Sequence, residues 1–319
     1  MYIPLQPFIK IRNRPSAMTL ASIAEAAARY RRPEGVVLEY GTAGFRTRAT
    51  LLDSTFFRMG MLAALRSRAL GGLAVGLMVT ASHNGACDNG IKLVDPDGGM
   101  LTQAWEKHAS AVANAEEGLL AQALQAVALE ECFDPHAGEA LVMVGRDTRE
   151  HSMRLSAIAT EGATLLGANL QDNALCTTPQ LHHCVRFHNG LGGGGGGGDA
   201  QWTGEGGYYK MLAEAYLALL RTAPPAPTPS PLWVDAAHGV GAAKLVPLAA
   251  LLGDALPIEV ANEAGAGELN VGCGAEYVQK GRLPPKGWDG RLEVRCPKPP
   301  LNSHLPPLTP HLPPTCPLT

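Results

Sequence analysis

Short apolar runs alternate with longer stretches of helical period along most of this chain. The runs Val36–Tyr40, Ala74–Thr80, Ile91–Val94, Leu141–Gly145, Asn169–Leu175, Leu232–Ala236 and Ile258–Ala261 read as strands. Ser54–Ala69, Thr102–Leu124, Ser152–Leu166, Gln180–Phe187, Tyr208–Arg221 and Gly241–Leu252 read as the helices between them. Strands alternating with helices of this length predict layered α/β structure. Leu141–Gly145 and Leu232–Ala236 each run into polar residues that open a helix, where α/β proteins carry ligand-binding loops.

The pattern breaks in four places. Residues 1–32 form an N-terminal extension with a helical patch over Ala21–Tyr30. Gly192–Gly198 is an unbroken glycine run. Such a run is a flexible linker by composition, because a phosphate-cradling loop needs glycines at chosen positions beside a strand and a helix. Ala223–Pro231 is proline-rich. From Gly287 to Thr319 no apolar face recurs and proline is abundant, the character of a disordered or aberrant tail.

Composition narrows the class. Hydrophobic residues make up 46% of 319 and charged residues 17%, a globular balance with room for about two domains. A net charge of −3 excludes nucleic-acid binding by charge alone. No apolar run approaches the ~20 residues of a membrane span. Seven scattered cysteines include no C-x-x-C pair, so neither a disulfide framework nor a structural zinc site is expected. Reduced thiols point to the cytoplasm. Lys10, Arg12 and Arg14, in an N-terminus that holds no acid before Glu25, are compatible with a weak transit signal.

The candidate chemistry lies in Met78-Val-Thr-Ala-Ser-His-Asn84, followed by Asp88-Asn-Gly-Ile-Lys-Leu-Val94. An apolar strand enters a polar loop bearing Ser82 and His83, and a second strand returns with Lys92. A serine at a strand end is exposed on a rigid support, which suits a nucleophile or a phosphate carrier. The plainer reading is a turn whose Ser82 and Asn84 bond their own backbone. Arg146 and Arg149 flank Asp147; an Arg–Asp network fixing the turn is favoured over phosphate binding. Asp95-Pro-Asp97-Gly98 reads as a hairpin rather than a metal site. His182, His183 and His188, near Cys184, have no zinc spacing and are assigned packing or surface roles.

Taken in order, Tyr40-Gly-Thr-Ala-Gly-Phe-Arg46, the Ser82 loop with its returning strand, and Gly145-Arg-Asp-Thr-Arg149 resemble the α-D-phosphohexomutase superfamily. Thr177-Thr-Pro-Gln-Leu-His182, Glu205-Gly-Gly-Tyr-Tyr-Lys210, Leu232–Lys244 and Leu269-Asn-Val-Gly-Cys-Gly-Ala275 extend the resemblance over residues 34–286. The match is closest to the branch acting on N-acetylglucosamine phosphates. It implies an α/β/α domain I at 33–190, a linker at 191–204, most of a domain II at 205–286 and an unrelated tail at 287–319.

The resemblance further implies a phosphoserine at Ser82 that exchanges phosphoryl groups with O6 and O1 of a sugar phosphate. Arg46 would orient the phosphoryl group, with His83 and Lys92 as acid–base or electrostatic helpers. Mg²⁺ would be held by the Ser82 phosphate and three aspartates of a D-G-D-x-D-R loop. That loop is not found: Asp289-Gly-Arg291 follows Gly287-Trp288, and one carboxylate cannot replace three. Gly85 and Glu150 stand where the family carries proline. The expectation is therefore a chain truncated before the metal and sugar-binding loops, with little turnover of its own. Two alternatives remain: an inactive fragment or binding protein, and a mutase for glucose or mannose phosphates.

Overall fold

In the computed structural model the described residues are 20–192, 200–222 and 231–288. Most of the glycine run, nearly all of the proline-rich stretch and the tail lie outside them. The first unit contains α1 (Leu20–Arg29), β1 (Phe45–Arg48), α2 (Asp53–Ala69), β2 (Val75–Val79), β3 (Asp88–Val94), α3 (Gln103–Asn114) and α4 (Leu120–Glu130). It continues through β4 (Leu141–Arg146), α5 (Ser152–Leu165), β5 (Asn169–Leu175) and α6 (Thr178–His188). Its five strands form one sheet in the order β1-β3-β2-β4-β5. β2, β4 and β5 run parallel, and β1 and β3 are antiparallel to their neighbours.

Alternation along the strands builds the layers. Val75, Leu77 and Val79 face a core shared with α1 to α5, whereas Ala74 and Met78 face Leu181, Cys184 and Val185 of α6. α2 and α5 cross at two glycines. A methyl group on Gly60 would lie 1.8 Å from the Ala159 carbonyl oxygen, and one on Gly162 1.9 Å from that of Phe57. Only glycine permits this approach.

The second unit is smaller. It comprises α7 (Gly204–Thr222), β6 (Leu232–Asp235), α8 (Gly241–Leu252), β7 (Ile258–Ala261) and α9 (Gly274–Gly281), with β6 and β7 paired in parallel. Lys244 of α8 is paired with Glu205 of α7 at 2.8 Å, Tyr209 donates to the same carboxylate, and Gln180 of α6 donates to the Tyr209 hydroxyl at 2.8 Å. A polar chain thus joins the two units.

Two expectations are corrected. Val36–Tyr40 is not a strand, because side chains of α3 satisfy its backbone. Asn114 accepts from Leu38 N–H at 3.0 Å and donates to its carbonyl, and Ser110 Oγ accepts from Tyr40 N–H at 2.9 Å. The strand on that edge is Phe45–Arg48. The single helix expected over Thr102–Leu124 is two, because Arg58 takes the carbonyls of Ala113 and Ala115 and Arg32 takes that of Asn114. Carbonyls captured in this way end α3.

Candidate functional site

Ser82 sits one turn beyond β2, at φ +51°. Its N–H donates to Thr80 Oγ1 at 2.9 Å, and the Thr80 hydroxyl donates to Asp147 Oδ2 at 2.7 Å. Asp147 follows β4, the parallel neighbour of β2, and its other oxygen accepts from Ser152 Oγ and Arg149 N–H. Asn89 of β3, wholly buried, donates to Ser152 Oγ at 2.9 Å. The loop is therefore anchored through side chains from three strands of the sheet.

Arg149 completes the anchor. Its side chain has no solvent exposure. Nε donates to Asp147 at 3.1 Å, one terminal nitrogen to the carbonyls of Gly85 and Asp88, and the other to those of Ser82 and Asn84. The Arg–Asp network expected from sequence is present. Beyond fixing the turn after β4, it shapes the Ser82 loop.

Positive charge gathers behind the loop. Arg46 of β1 donates to Asn84 Oδ1 at 3.0 Å, and its buried Nε has no partner among the described residues. Burial, and then the charge of Arg149, lower the Arg46 pKa; Asp88 opposes this. Lys92 of β3 is buried, and among the described residues it makes no ion pair. Burial, and then Arg46, push its pKa down. His83 lies on the same loop but is exposed, and among the described residues no hydrogen bond holds its ring. The fold thus gathers Arg46, Lys92 and the Ser82 loop, and leaves His83 untied beside them.

Ser82 opens onto a cleft of about 340 Å³. Thr80 and Asp147, the start of α6 at Thr177–Thr178, and the loop 236–241 between β6 and α8 line it, with Asn270. Both loops singled out at strand ends thus face one cavity. The second-unit wall is held by Asp235, which accepts from Ala237 N–H at 2.9 Å, Asn262 Nδ2 at 2.9 Å and Gly274 N–H at 2.6 Å. Thr80, Asn89, Ser152 and Asn270 were not singled out in the sequence. Short polar residues in or after strands have no signature of their own.

The remaining candidates fall outside this chemistry. Asp95 pairs through both oxygens with the buried Arg66, at 2.9 and 2.8 Å, and Gly98 N–H donates to the Asp95 carbonyl in a turn. His182 Nδ1 bonds the Gly98 carbonyl, and His183 stacks near Phe187. The five described cysteines are free thiols. Burial raises Cys176 and Cys184 to about 12. Among the described residues no group of three or more His, Cys, Asp or Glu side chains could hold a metal, and no helix is long and apolar enough to cross a membrane. Asp147 and Asp235 have their oxygens committed to donors, so these residues do not fit a Mg²⁺ site.

A mixed sheet with helices on both faces, and a serine held over a cationic floor at its edge, is the pattern of the phosphohexomutases. Residues 61–119 and 118–194 match the family model for phosphoglucomutase/phosphomannomutase, alpha/beta/alpha domain I. Residues 61–194 thus carry an α/β/α domain I of the α-D-phosphohexomutase superfamily. Within it, the chain is similar to phosphoacetylglucosamine mutases. It is 43% identical to that of Sus scrofa over 280 residues, which is 88% of this chain and 50% of the relative. A structure of Aspergillus fumigatus N-acetylphosphoglucosamine mutase with glucose 1,6-bisphosphate superposes at TM-score 0.77, with 37% identity, covering 86% of this chain and 50% of that one. Another, of the same enzyme with GlcNAc-6P and magnesium, superposes at 0.75 with 38% identity and the same coverage. The chain spans about half the length of the curated relatives it matches.

Proposed function

We propose that this chain is the phosphoryl-carrying part of an N-acetylglucosamine-phosphate mutase, with Ser82 as the carrier. One observation bears most of the weight. The Ser82 loop is fixed from below by Arg149 and Asp147, and among the described residues the two further cations behind it, Arg46 and Lys92, form no ion pair with a carboxylate. A phosphoserine, close to dianionic at neutral pH, supplies the charge they lack. Residues 33–190 form the phosphoserine domain in this reading, and 205–286 belong to the domain facing it across the cleft.

The chemistry is positional and electrostatic. The hydroxyl of a sugar monophosphate attacks the Ser82 phosphorus, and the bond from phosphorus to Ser82 Oγ breaks. The proton leaving the sugar hydroxyl ends on Ser82 Oγ, and His83, next to Ser82 in the chain, is the helper that the family resemblance assigns. Arg46 and Lys92 neutralise charge on the equatorial oxygens. The bisphosphate then turns and returns its other phosphoryl group to Ser82. Sugar phosphate is the partner in this scheme. No step is routed through Mg²⁺, because the described residues lack its donor set.

Incubation with N-acetylglucosamine 1,6-bisphosphate and phosphopeptide mapping tests the assignment. Phosphate on Ser82, absent in Ser82→Ala, is the expected result; phosphate elsewhere or nowhere refutes it.

A further inference from the structure

The carbonyls of Ser82 and Asn84 are each gripped twice. Arg149 reaches them from the first unit at 3.0 and 2.9 Å. Asn270 Nδ2, nearly 190 residues away in the second unit, reaches the same two oxygens at 3.4 and 2.8 Å. Asn270 is itself held. Its N–H donates to the Ala237 carbonyl at 3.1 Å, and it sits at φ +59°, a left-handed conformation that asparagine tolerates better than most residues. Ala237 and His238, which follow β6, are left-handed as well, at φ +53° and +55°. Asp235 ties this strained turn to the start of α9 through Ala237 N–H and Gly274 N–H, bracketing the segment that presents Asn270. The clamp falls on a loop whose Gly85 brings no side chain to pack against its surroundings.

We propose that Asn270 is a positioning residue for Ser82, through which the second unit sets the aim of the phosphoserine loop. This rests on the phosphoryl-carrier reading above. Only when the second unit is docked does the loop have both clamps, so the orientation of the reacting oxygen is coupled to closure of the cleft.

The test uses the full chain and two variants. Asn270→Asp keeps size and tolerance of the left-handed backbone but turns a donor into an acceptor facing two carbonyl oxygens. Asn270→Gly keeps the backbone and removes the side chain. Hydrogen exchange is followed in peptides spanning 82–88 and, as an internal control, β6 and β7. Transfer of phosphate to Ser82 from N-acetylglucosamine 1,6-bisphosphate is timed in parallel. Both variants are expected to speed exchange in 82–88 by roughly fivefold or more, since one lost hydrogen bond changes the population about fivefold and Asn270 makes two. β6 and β7 should keep their protection. The maximal transfer rate should fall, while the bisphosphate concentration for half-maximal rate holds. Unchanged exchange in 82–88, or equal loosening of β6 and β7, overturns the inference. If the parent chain takes no phosphate on Ser82, the carrier reading fails, and the exchange comparison still decides whether Asn270 holds the loop.

Discussion

The guanidinium of Arg149 donates to the carbonyl of Ser82 at 3.0 Å from a side chain that solvent does not reach. An arginine after one strand thereby holds the backbone of a serine after its parallel neighbour. Its fork meets four carbonyls and one carboxylate at once. No lysine can reproduce that geometry from a single nitrogen.

Arg149→Lys and Arg149→Met are therefore both expected to disable the site, although only the second removes the charge. Arg149→Met should also cost about 3 kcal/mol or more, because it leaves Asp147 short of a cation and several carbonyls short of donors. Urea unfolding measures the stability loss, and phosphate uptake at Ser82 measures the functional one. A lysine variant with full uptake would show that charge alone suffices.

The α2–α5 crossing sets a second expectation. Gly60→Ala and Gly162→Ala drive a methyl group into a backbone carbonyl that has no room to yield. Each should destabilise by at least about 3 kcal/mol, the upper range for overpacking. A midpoint shift in urea at constant slope would record it.

Lys92 gives a pH signature. Burial, and then Arg46, lower its pKa from the ordinary 10.5, so the folded state binds its proton less readily than the unfolded chain. The penalty is in full force below the folded pKa, and it fades as pH rises towards the unfolded value. Lys92→Met should accordingly stabilise the unphosphorylated chain at neutral pH, with the gain shrinking in alkali. A phosphate on Ser82 should reduce the gain by supplying Lys92 with a counter-charge. Thermal melts across pH, with and without the phosphate, check both signs.

Arg66 and Asp95 provide the contrast. Their bidentate pair is buried, and the arginine stacks over Trp105 at 4.5 Å. Arg66→Met leaves a buried carboxylate unpaired and should cost about 3–5 kcal/mol. In the folded fraction, phosphate uptake at Ser82 should be unaltered. Loss of uptake in protein that remains folded would give Asp95 a role beyond the hairpin.

Much of this fold was legible because β2, β4, β6 and β7 are short, mainly apolar runs between helices of clear period. β1 was not, since Phe45-Arg-Thr-Arg48 carries two arginines. The neighbouring Val36–Tyr40 has better strand chemistry, but the side chains of Asn114 and Ser110 complete its hydrogen bonds in place of a sheet. The break after Asn114 depends on Arg58 and Arg32, far away in sequence. Within the site, Ser82, Arg46 and Lys92 stood out through their ordered motifs. Thr80, Asn89 and Asn270 did not, because a hydrogen bond from a short side chain to a side chain or carbonyl distant in sequence leaves no trace in local pattern.

A single-turnover transfer bears most directly on Ser82. The chain, phosphorylated at Ser82 and freed of excess bisphosphate, is mixed with N-acetylglucosamine 6-phosphate, and sugar bisphosphate and Ser82 phosphate are followed together. Bisphosphate should appear in step with the loss of phosphate from Ser82, faster than phosphate is lost to water without the sugar. Loss of the Ser82 phosphate only to water, at the same rate with or without the sugar, would contradict a carrier role.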